Sequence, residues 1–552
     1  METQSSLIAY IAQAIRNNWE ELALTDFQGV SFQYRDVARK IEKLHLLFEN
    51  AGLKKGDRIA LCGRNSAQWA IAALASITYG SVTVPILHEF KPENIHHLVC
   101  HSEAKLLFTD NAIFENLDPD SMPDLIGVLQ ISDYSLMLTR SETLTRARNN
   151  LNKFFGAKYP ERFTAEDVKY AEQPEGDLAI INYTSGSTGF SKGVMLSYRN
   201  LWSNIEYYIT KLTALSKGDS VVCMLPLAHM YGLMVELMDS FVRGCHVYFL
   251  TRTPSPKIIM DAFAAVKPKL IVTVPLIIEK IIKTRVFPLL DKPMMKLLLH
   301  MPFIDDHLLG KIKDRLTQTF GGNLHEMIIG GAGLNADVET FLRRIKFPFT
   351  VGYGMTECAP LVAYADWNVQ RPGSCGQIVD RMTARIASPD PANVPGVLWL
   401  KGDNVMMGYY KNPDETAQVF DKDGWMNTGD ICTLDADSFL YIRGRDKNMI
   451  LGPSGQNIYP EEIEQKLNNM PYVSESLIIE EDNKLVALIY PDLENATRLG
   501  MSEADIEKQM QQNVEHLNTE LPAYSRISRY RIHQEEFEKT PKRSIKRFLY
   551  QH

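Results

Sequence analysis

Cysteine is sparse in this chain and forms no pattern. The seven residues, Cys62, Cys100, Cys223, Cys245, Cys358, Cys375 and Cys432, are scattered and include no Cys-x-x-Cys pair. That excludes a zinc ribbon or a disulfide framework and suits reduced thiols in a cytosolic protein. Long hydrophobic runs are missing as well. A membrane span needs about 18 or more apolar residues in succession, and the stretch 270–278 is already broken by Thr273 and Pro275, so no transmembrane helix is expected. The opening Met1-Glu2-Thr3-Gln4 carries no basic region ahead of an apolar core, so no secretory signal is expected and a cytoplasmic location is. There is no excess of positive charge: the net charge is −8, which argues against nucleic-acid binding. No repeat recurs at a fixed period.

What is present suits a soluble enzyme. At 552 residues, with 45% hydrophobic and 23% charged content, the chain can bury more than one core. Short strand patterns at 59–61, 82–84 and 104–108 alternate with helical patterns such as 69–75, which predicts an α/β fold. Residues 6–54 read as two helices. Residues 157–177 are polar and read as a connector. Residues 394–442, rich in Gly, Asn and Asp between short strands, predict a small β subdomain. A boundary at 444–447 divides a large N-terminal domain, 1–445, from a compact α+β C-terminal domain, 446–552. Residues 276–317 mix apolar side chains with Lys280, Lys283, Arg285, Lys292, Lys296, Lys311, Lys313 and Arg315. That pattern fits a helical hairpin packed on the main domain, or a peripheral contact with an anionic membrane.

The most informative stretch is Tyr183-Thr184-Ser185-Gly186-Ser187-Thr188-Gly189-Phe190-Ser191-Lys192-Gly193. Hydroxyls supply donors, glycines let backbone N–H groups converge on an anion, and one lysine adds charge. It is not the common nucleotide loop, because Gly193 rather than Ser or Thr follows Lys192. Composition alone also fits a Ser/Gly-rich surface linker. The flanks favour a phosphate loop: 178–183 and 193–197 read as strands, with a helix opening at 198.

This strand–loop–strand arrangement resembles the phosphate loop of the adenylate-forming superfamily of acyl-CoA synthetases, luciferases and peptide-synthetase adenylation domains. Further segments resemble that family in its own order. They are Leu225-Pro226-Leu227-Ala228-His229-Met230-Tyr231-Gly232, Gly330-Gly331-Ala332, Gly352-Tyr353-Gly354-Met355-Thr356-Glu357, Asn427-Thr428-Gly429-Asp430, Gly444-Arg445-Asp446-Lys447 and the stretch 452–464. The closest likeness within the superfamily is to long-chain fatty acid–CoA ligases.

The resemblance implies a set of roles. Thr184, Ser185, Gly186, Ser187, Thr188, Gly189 and Lys192 would cradle the β- and γ-phosphates of ATP. Glu357, with Thr184, would hold Mg²⁺, and Thr356 would touch the α-phosphate. Tyr353 and Gly354 would face adenine, Gly331 would floor the substrate site, and Asp430 and Arg445 would bind ribose. His229 would guard the passage between the acyl and pantetheine pockets, although a histidine among apolar residues is also a common core residue. Met230, Leu233 and Met234 would line the acyl pocket or simply pack the core. Lys447 would sit at the hinge of a mobile C-terminal domain, and Gly455 would lie in a loop that admits the pantetheine arm.

Two departures stand out. Ser191 replaces the proline that usually precedes the loop lysine. Ser544 stands where the family's C-terminal lysine is expected. In an extended segment, residues two apart share a face about 6.6 Å apart, so Lys542 or Lys546 could reach into the place of that lysine; if neither does, the chain would bind nucleotide without turning it over. The implied activity is ATP-dependent formation of acyl-AMP from a fatty acid, then transfer to the thiol of CoA, or of an acyl carrier protein.

Overall fold

The computed structural model describes residues 6–184, 192–252, 255–290, 292–299, 304–451, 456–482, 484–539 and 545–550. Two large sheets dominate the N-terminal domain. One has eight strands in the order Gly408–Tyr409, Lys192–Ser197, Leu178–Thr184, Val82–Ile86, Arg58–Cys62, Ala104–Thr109, Gly127–Gln130 and Leu136–Thr139. The other has seven, in the order Phe349–Val351, Glu326–Ile329, Leu270–Thr273, Ser220–Cys223, His246–Phe249, Leu22–Asp26 and Ser31–Gln33. The central strands Val82–Ile86, Arg58–Cys62 and Ala104–Thr109 of the first sheet, and Ser220–Cys223, Leu270–Thr273 and Glu326–Ile329 of the second, run parallel and are largely apolar, as sheets covered on both sides require.

The helix Ala67–Tyr79 packs against strands of both sheets. Ser66 caps it by accepting from the Trp69 N–H, and Gly80, at φ +90°, ends it. Every residue from Ala67 to Thr78 is buried, so its apolar character runs all round rather than along one stripe. Between the two predicted helices of 6–54, observed as Leu7–Asn17 and Tyr34–Ala51, the chain also contributes the edge strands Leu22–Asp26 and Ser31–Gln33.

The topology gathers the motifs. Ser220–Cys223, Glu326–Ile329 and Phe349–Val351 point the same way in one sheet. The segments that follow them, 224–232, 330–334 and 352–358, therefore meet at the carboxyl edge of that sheet, where open α/β sheets bind ligands. A four-stranded antiparallel sheet, Met382–Ala387, Gly396–Gly402, Met426–Leu434 and Leu440–Arg445, forms the expected β subdomain and begins somewhat earlier than its composition suggests.

The C-terminal domain packs Pro460–Leu467 and Glu503–Glu520 on the sheet Val473–Glu481, Lys484–Pro491 and Ile527–Ile532. Its core, with Ile463, Leu467, Ile478, Ile489, Met510 and Leu517, is its own. It touches the larger domain through Gln465, which donates to the Leu334 carbonyl (2.9 Å), and Lys283, which donates to the Asn468 carbonyl (3.2 Å). The described residues of 276–317 are almost all helical. Ile278, Ile282, Leu309 and Leu316 are buried in a core cluster, while Leu276, Leu289 and Met294 are exposed. Among the described residues no helix is long and apolar enough to cross a membrane.

Candidate active site

The strands Leu178–Thr184 and Lys192–Ser197 pair antiparallel, with Thr184 directly opposite Lys192. They form the base of the predicted phosphate loop. Ser185, Gly186, Ser187, Thr188 and Gly189 lie outside the described residues. The helix Tyr198–Lys211 begins at once after the second strand, its start closed by a reciprocal Ser197–Asn200 capping box. This helix fixes more than its own geometry. Asn200 donates to the Asp403 and Val405 carbonyls, each at 2.8 Å, and Asn204 donates to the Cys358 carbonyl at 3.2 Å while accepting from the Leu361 N–H at 3.0 Å. The Thr356–Cys358 turn is thereby tied to the phosphate-loop hairpin.

Gly354 precedes that turn. A Cβ there would lie 2.4 Å from the Pro360 carbonyl oxygen, so the glycine is demanded by a close approach within the protein. Gly331 is required for a different reason, its φ of +87°. Cys358, beside Glu357, is fully buried and burial pushes its thiol well up, which makes it an inert packing residue.

Tyr353, Asp430 and Arg445, the residues expected to meet the nucleoside, form a trio in which the first two are buried and Arg445 is exposed. Asp430 and Arg445 are register partners on neighbouring strands, and the Arg445 Nε lies 2.7 Å from the Asp430 Oδ1. The Tyr353 hydroxyl donates to the other carboxylate oxygen. Burial pushes the Asp430 carboxyl up against the pull of Arg445 and Tyr353. The Asp430 carboxylate raises Arg445 in turn.

Between Lys192 and Glu357, the residues expected to meet phosphate and Mg²⁺, lies Tyr409, which sequence reasoning missed. Its hydroxyl donates to the Glu357 Oε1 at 3.1 Å. The Lys192 ammonium lies 5.2 Å from the Tyr409 ring centroid and pairs with Glu415, a second missed residue. Among the described residues no cluster of three or more His, Cys, Asp or Glu forms a metal cage. A half-buried Glu357 whose oxygen faces a hydroxyl fits Mg²⁺, which binds through one or two carboxylates plus substrate phosphates rather than through an all-protein site.

The acyl-side segment is held from three directions. Asn182, on the strand entering the phosphate loop, donates to the Ala228 carbonyl (2.9 Å). Asn65 bridges the Leu225 carbonyl and the Leu227 N–H. The fully buried Glu236 accepts from the Met224 and Leu225 N–H groups at 3.2 and 3.0 Å, and burial raises its carboxyl to about 8. Glu236 had a signal in the sequence, a lone carboxylate among Leu233, Met234, Val235, Leu237 and Met238. His229 is half-buried at the turn that opens the helix. Met230, Leu233 and Met234 are buried in the main core.

Lys447 is exposed in the short turn Asp446–Asn448, while Gly455, Lys542 and Ser544 lie outside the described residues. On either side of Lys542 and Ser544, Lys539 and Ile545 pair antiparallel and the Lys546 N–H donates to the Glu538 carbonyl. The Lys546 ammonium pairs with Glu538 of its own domain, and its neighbour Arg547 pairs with Glu464.

Comparison with known proteins follows the same division. A family model for AMP-binding enzymes matches residues 11–410, and one for the C-terminal domain of AMP-binding enzymes matches 447–551. The chain belongs to the AMP-binding enzyme family. It is 29% identical over 474 residues to a long-chain-fatty-acid–CoA ligase of Mycobacterium bovis, covering 80% of this chain and 74% of that one. It is 28% identical over 470 residues to a long-chain-fatty-acid–CoA ligase of Escherichia coli, covering 79% and 77%. Among solved structures, ATP-bound MatB from Rhodopseudomonas palustris shares the fold at a TM-score of 0.77 and 23% identity, over 99% of this chain and 98% of that one. As an AMP-binding enzyme of the acyl-CoA ligase class, the chain works with ATP, Mg²⁺ and CoA.

Proposed function

We propose that this enzyme activates long-chain fatty acids to acyl-CoA. The observation that carries the site is the meeting of the Tyr353–Asp430–Arg445 trio with the Glu357–Tyr409–Lys192 array across the single turn Thr356–Cys358. One end of that turn suits ribose and adenine, the other phosphates. Fatty acid is favoured by the apolar residues around His229, by the absence of a polar reader among Met230, Leu233 and Met234, and by the long-chain ligases among the relatives.

In the first half-reaction the acid's carboxylate oxygen attacks the α-phosphorus of ATP, and the bond to the β-phosphate bridge breaks to release pyrophosphate. Asp430 and Arg445 hold the ribose, Thr356 donates toward the α-phosphate, and Lys192 with the loop donors neutralises the departing phosphates. Glu357, with Thr184, would hold Mg²⁺, which when bound would supply further charge neutralisation on the phosphate oxygens. In the second half-reaction the thiol sulfur of CoA attacks the acyl carbonyl carbon, AMP leaves, and the thiol proton is lost to solvent. His229 stands at the passage between the two pockets. The C-terminal domain turns about Lys447 between the half-reactions, exchanging the segment with Lys542 and Lys546 for the loop containing Gly455.

The test is pyrophosphate release with ATP and Mg²⁺ across straight-chain acids from acetate to stearate, with and without CoA. CoA-stimulated release greatest with the longest acids is expected. Release confined to short or aromatic acids would overturn the long-chain assignment, and ATP binding with no release for any acid would overturn the ligase.

A further inference from the structure

Tyr409 touches both charged groups of the phosphate half of the site. Its strand, Gly408–Tyr409, pairs antiparallel with Lys192–Ser197 at the sheet edge, with Tyr409 opposite Val194. Lys192, two residues before Val194, projects from the same face. Register therefore brings the Lys192 ammonium over the ring, 5.2 Å from its centroid. On the other side the hydroxyl reaches the Glu357 Oε1 at 3.1 Å. A phenolic O–H donates and a carboxylate accepts, so the proton of this bond comes from Tyr409.

The ring has little freedom. Tyr409 is 8% exposed, and its N–H donates to the Thr416 Oγ1 at 2.9 Å. Gly408, at φ +138°, lets the strand turn tightly against Thr416, where a Cβ would meet the Thr416 Cγ2 at 2.7 Å. Thr416 belongs to the helix Pro413–Val419, whose first turn carries Glu415, and Asn412 caps that turn by accepting from the Glu415 N–H at 3.2 Å. Glu415 thus takes its place from the same short unit that fixes Tyr409. It pairs with Lys192, the cation that the phosphate loop would offer to the nucleotide.

We propose that Tyr409 is a positioning residue that aligns Lys192 and Glu357 with each other through its ring face and its hydroxyl, and that Glu415 holds Lys192 in a resting place from which the β- and γ-phosphates of ATP displace it. Resting on the ligase function above, this assigns work to two residues outside the motifs named from the sequence. Tyr409 fixes the carboxylate that would meet Mg²⁺, and Glu415 competes with phosphate for the lysine. AMP, which lacks the β- and γ-phosphates, does not enter that competition.

The test is calorimetric titration of the full-length protein with ATP and with AMP at stepped Mg²⁺ concentrations, comparing wild type, Tyr409→Phe, Tyr409→Leu and Glu415→Gln. Tyr409→Phe keeps the ring and loses the hydroxyl, so the Mg²⁺ concentration giving half-maximal ATP affinity should rise several-fold while Mg²⁺-free ATP binding holds. Tyr409→Leu should in addition weaken Mg²⁺-free ATP binding. Glu415→Gln should tighten ATP binding about three-fold, in line with a partly exposed ion pair, and leave AMP binding unchanged. Circular dichroism checks that each variant is folded, and the Phe variant keeps the packing even where Leu does not. An unchanged Mg²⁺ dependence in Tyr409→Phe, or equal changes for ATP and AMP in Glu415→Gln, would overturn the proposal. Wild-type protein that binds Mg²⁺-ATP yet releases no pyrophosphate would overturn the ligase function instead, and the binding comparison would still decide the roles of Tyr409 and Glu415.

Discussion

Asp430 and Arg445 face each other across two antiparallel strands, their oxygen and nitrogen 2.7 Å apart, with the carboxylate 4% exposed and the guanidinium 59% exposed. The charge pair is therefore anchored at its acid end and open at its basic end. Tyr353 closes the buried side by donating to the second carboxylate oxygen. Removing the carboxylate strips both partners at once. Asp430→Ala should weaken ATP and AMP binding alike by ten-fold or more, since each hydrogen bond lost from a buried group costs about 1–3 kcal/mol. Calorimetric titration with both nucleotides checks this. Arg445→Ala should do less, because it leaves the Tyr353–Asp430 contact in place.

Gly354 is the cleanest steric prediction. A methyl group there would sit 2.4 Å from the Pro360 carbonyl oxygen, and this backbone neighbour carries the turn that presents Glu357. Gly354→Ala should lower the melting temperature by the equivalent of about 1–3 kcal/mol and weaken Mg²⁺-ATP binding through the displaced Glu357. Gly176→Ala is the control. Nothing lies within 4 Å of the added Cβ at that position, and its effect should stay within about 0.5 kcal/mol.

These glycines show what the sequence makes visible and what it hides. The order of motifs identified the superfamily, placed Asp430 and Tyr353 in one site, and gave the strands on either side of the phosphate loop. Local pattern carries such information because turn glycines, caps and apolar runs act within a few residues. The reason for Gly354 lay elsewhere: it reads as a ligand-facing residue, while its missing side chain makes room for Pro360. Tyr409 and Glu415 were illegible because nothing in Gly-Tyr-Tyr-Lys-Asn-Pro-Asp-Glu marks them. Their roles come from pairing with Val194, more than 200 positions away. The strands Leu22–Asp26 and Ser31–Gln33 were overlooked for a similar reason, since Leu22–Asp26 is stabilised by parallel pairing to His246–Phe249.

Glu326 makes stability depend on pH. It is buried on a central strand, accepts from the Tyr364 hydroxyl at 2.9 Å through both oxygens, and burial raises its carboxyl from 4.5 to about 7. The folded protein keeps a proton there that the unfolded chain gives up. This group's contribution is complete below about pH 4.5 and is lost as pH rises through about 7. At about 1.4 kcal/mol per unit, the whole shift corresponds to about 3 kcal/mol. Between about pH 5 and 8 the wild-type melting temperature should fall more steeply than that of Glu326→Gln, which has no proton to lose. Parallel slopes in differential scanning calorimetry would remove Glu326 as the cause.

The C-terminal basic residues separate by their surroundings. The Lys546 ammonium is paired with Glu538, close to where Lys539 and Ile545 pair antiparallel. To serve the adenylation step, Lys546 would have to leave a carboxylate in its own domain. Lys546→Ala should therefore leave acyl-AMP formation within about two-fold of wild type, the scale of a surface pair. If a lysine does replace the one absent at Ser544, Lys542→Ala should slow acyl-AMP formation by far more. It should leave transfer of preformed acyl-AMP to CoA intact, because in the proposed cycle the segment with Lys542 gives way to the loop containing Gly455 before that step. Measuring pyrophosphate release and thioester formation separately on the two single variants and on the double variant resolves this. Full acyl-AMP formation by the double variant would show that neither lysine is used and that adenylation in this enzyme proceeds on Lys192 and the loop donors alone.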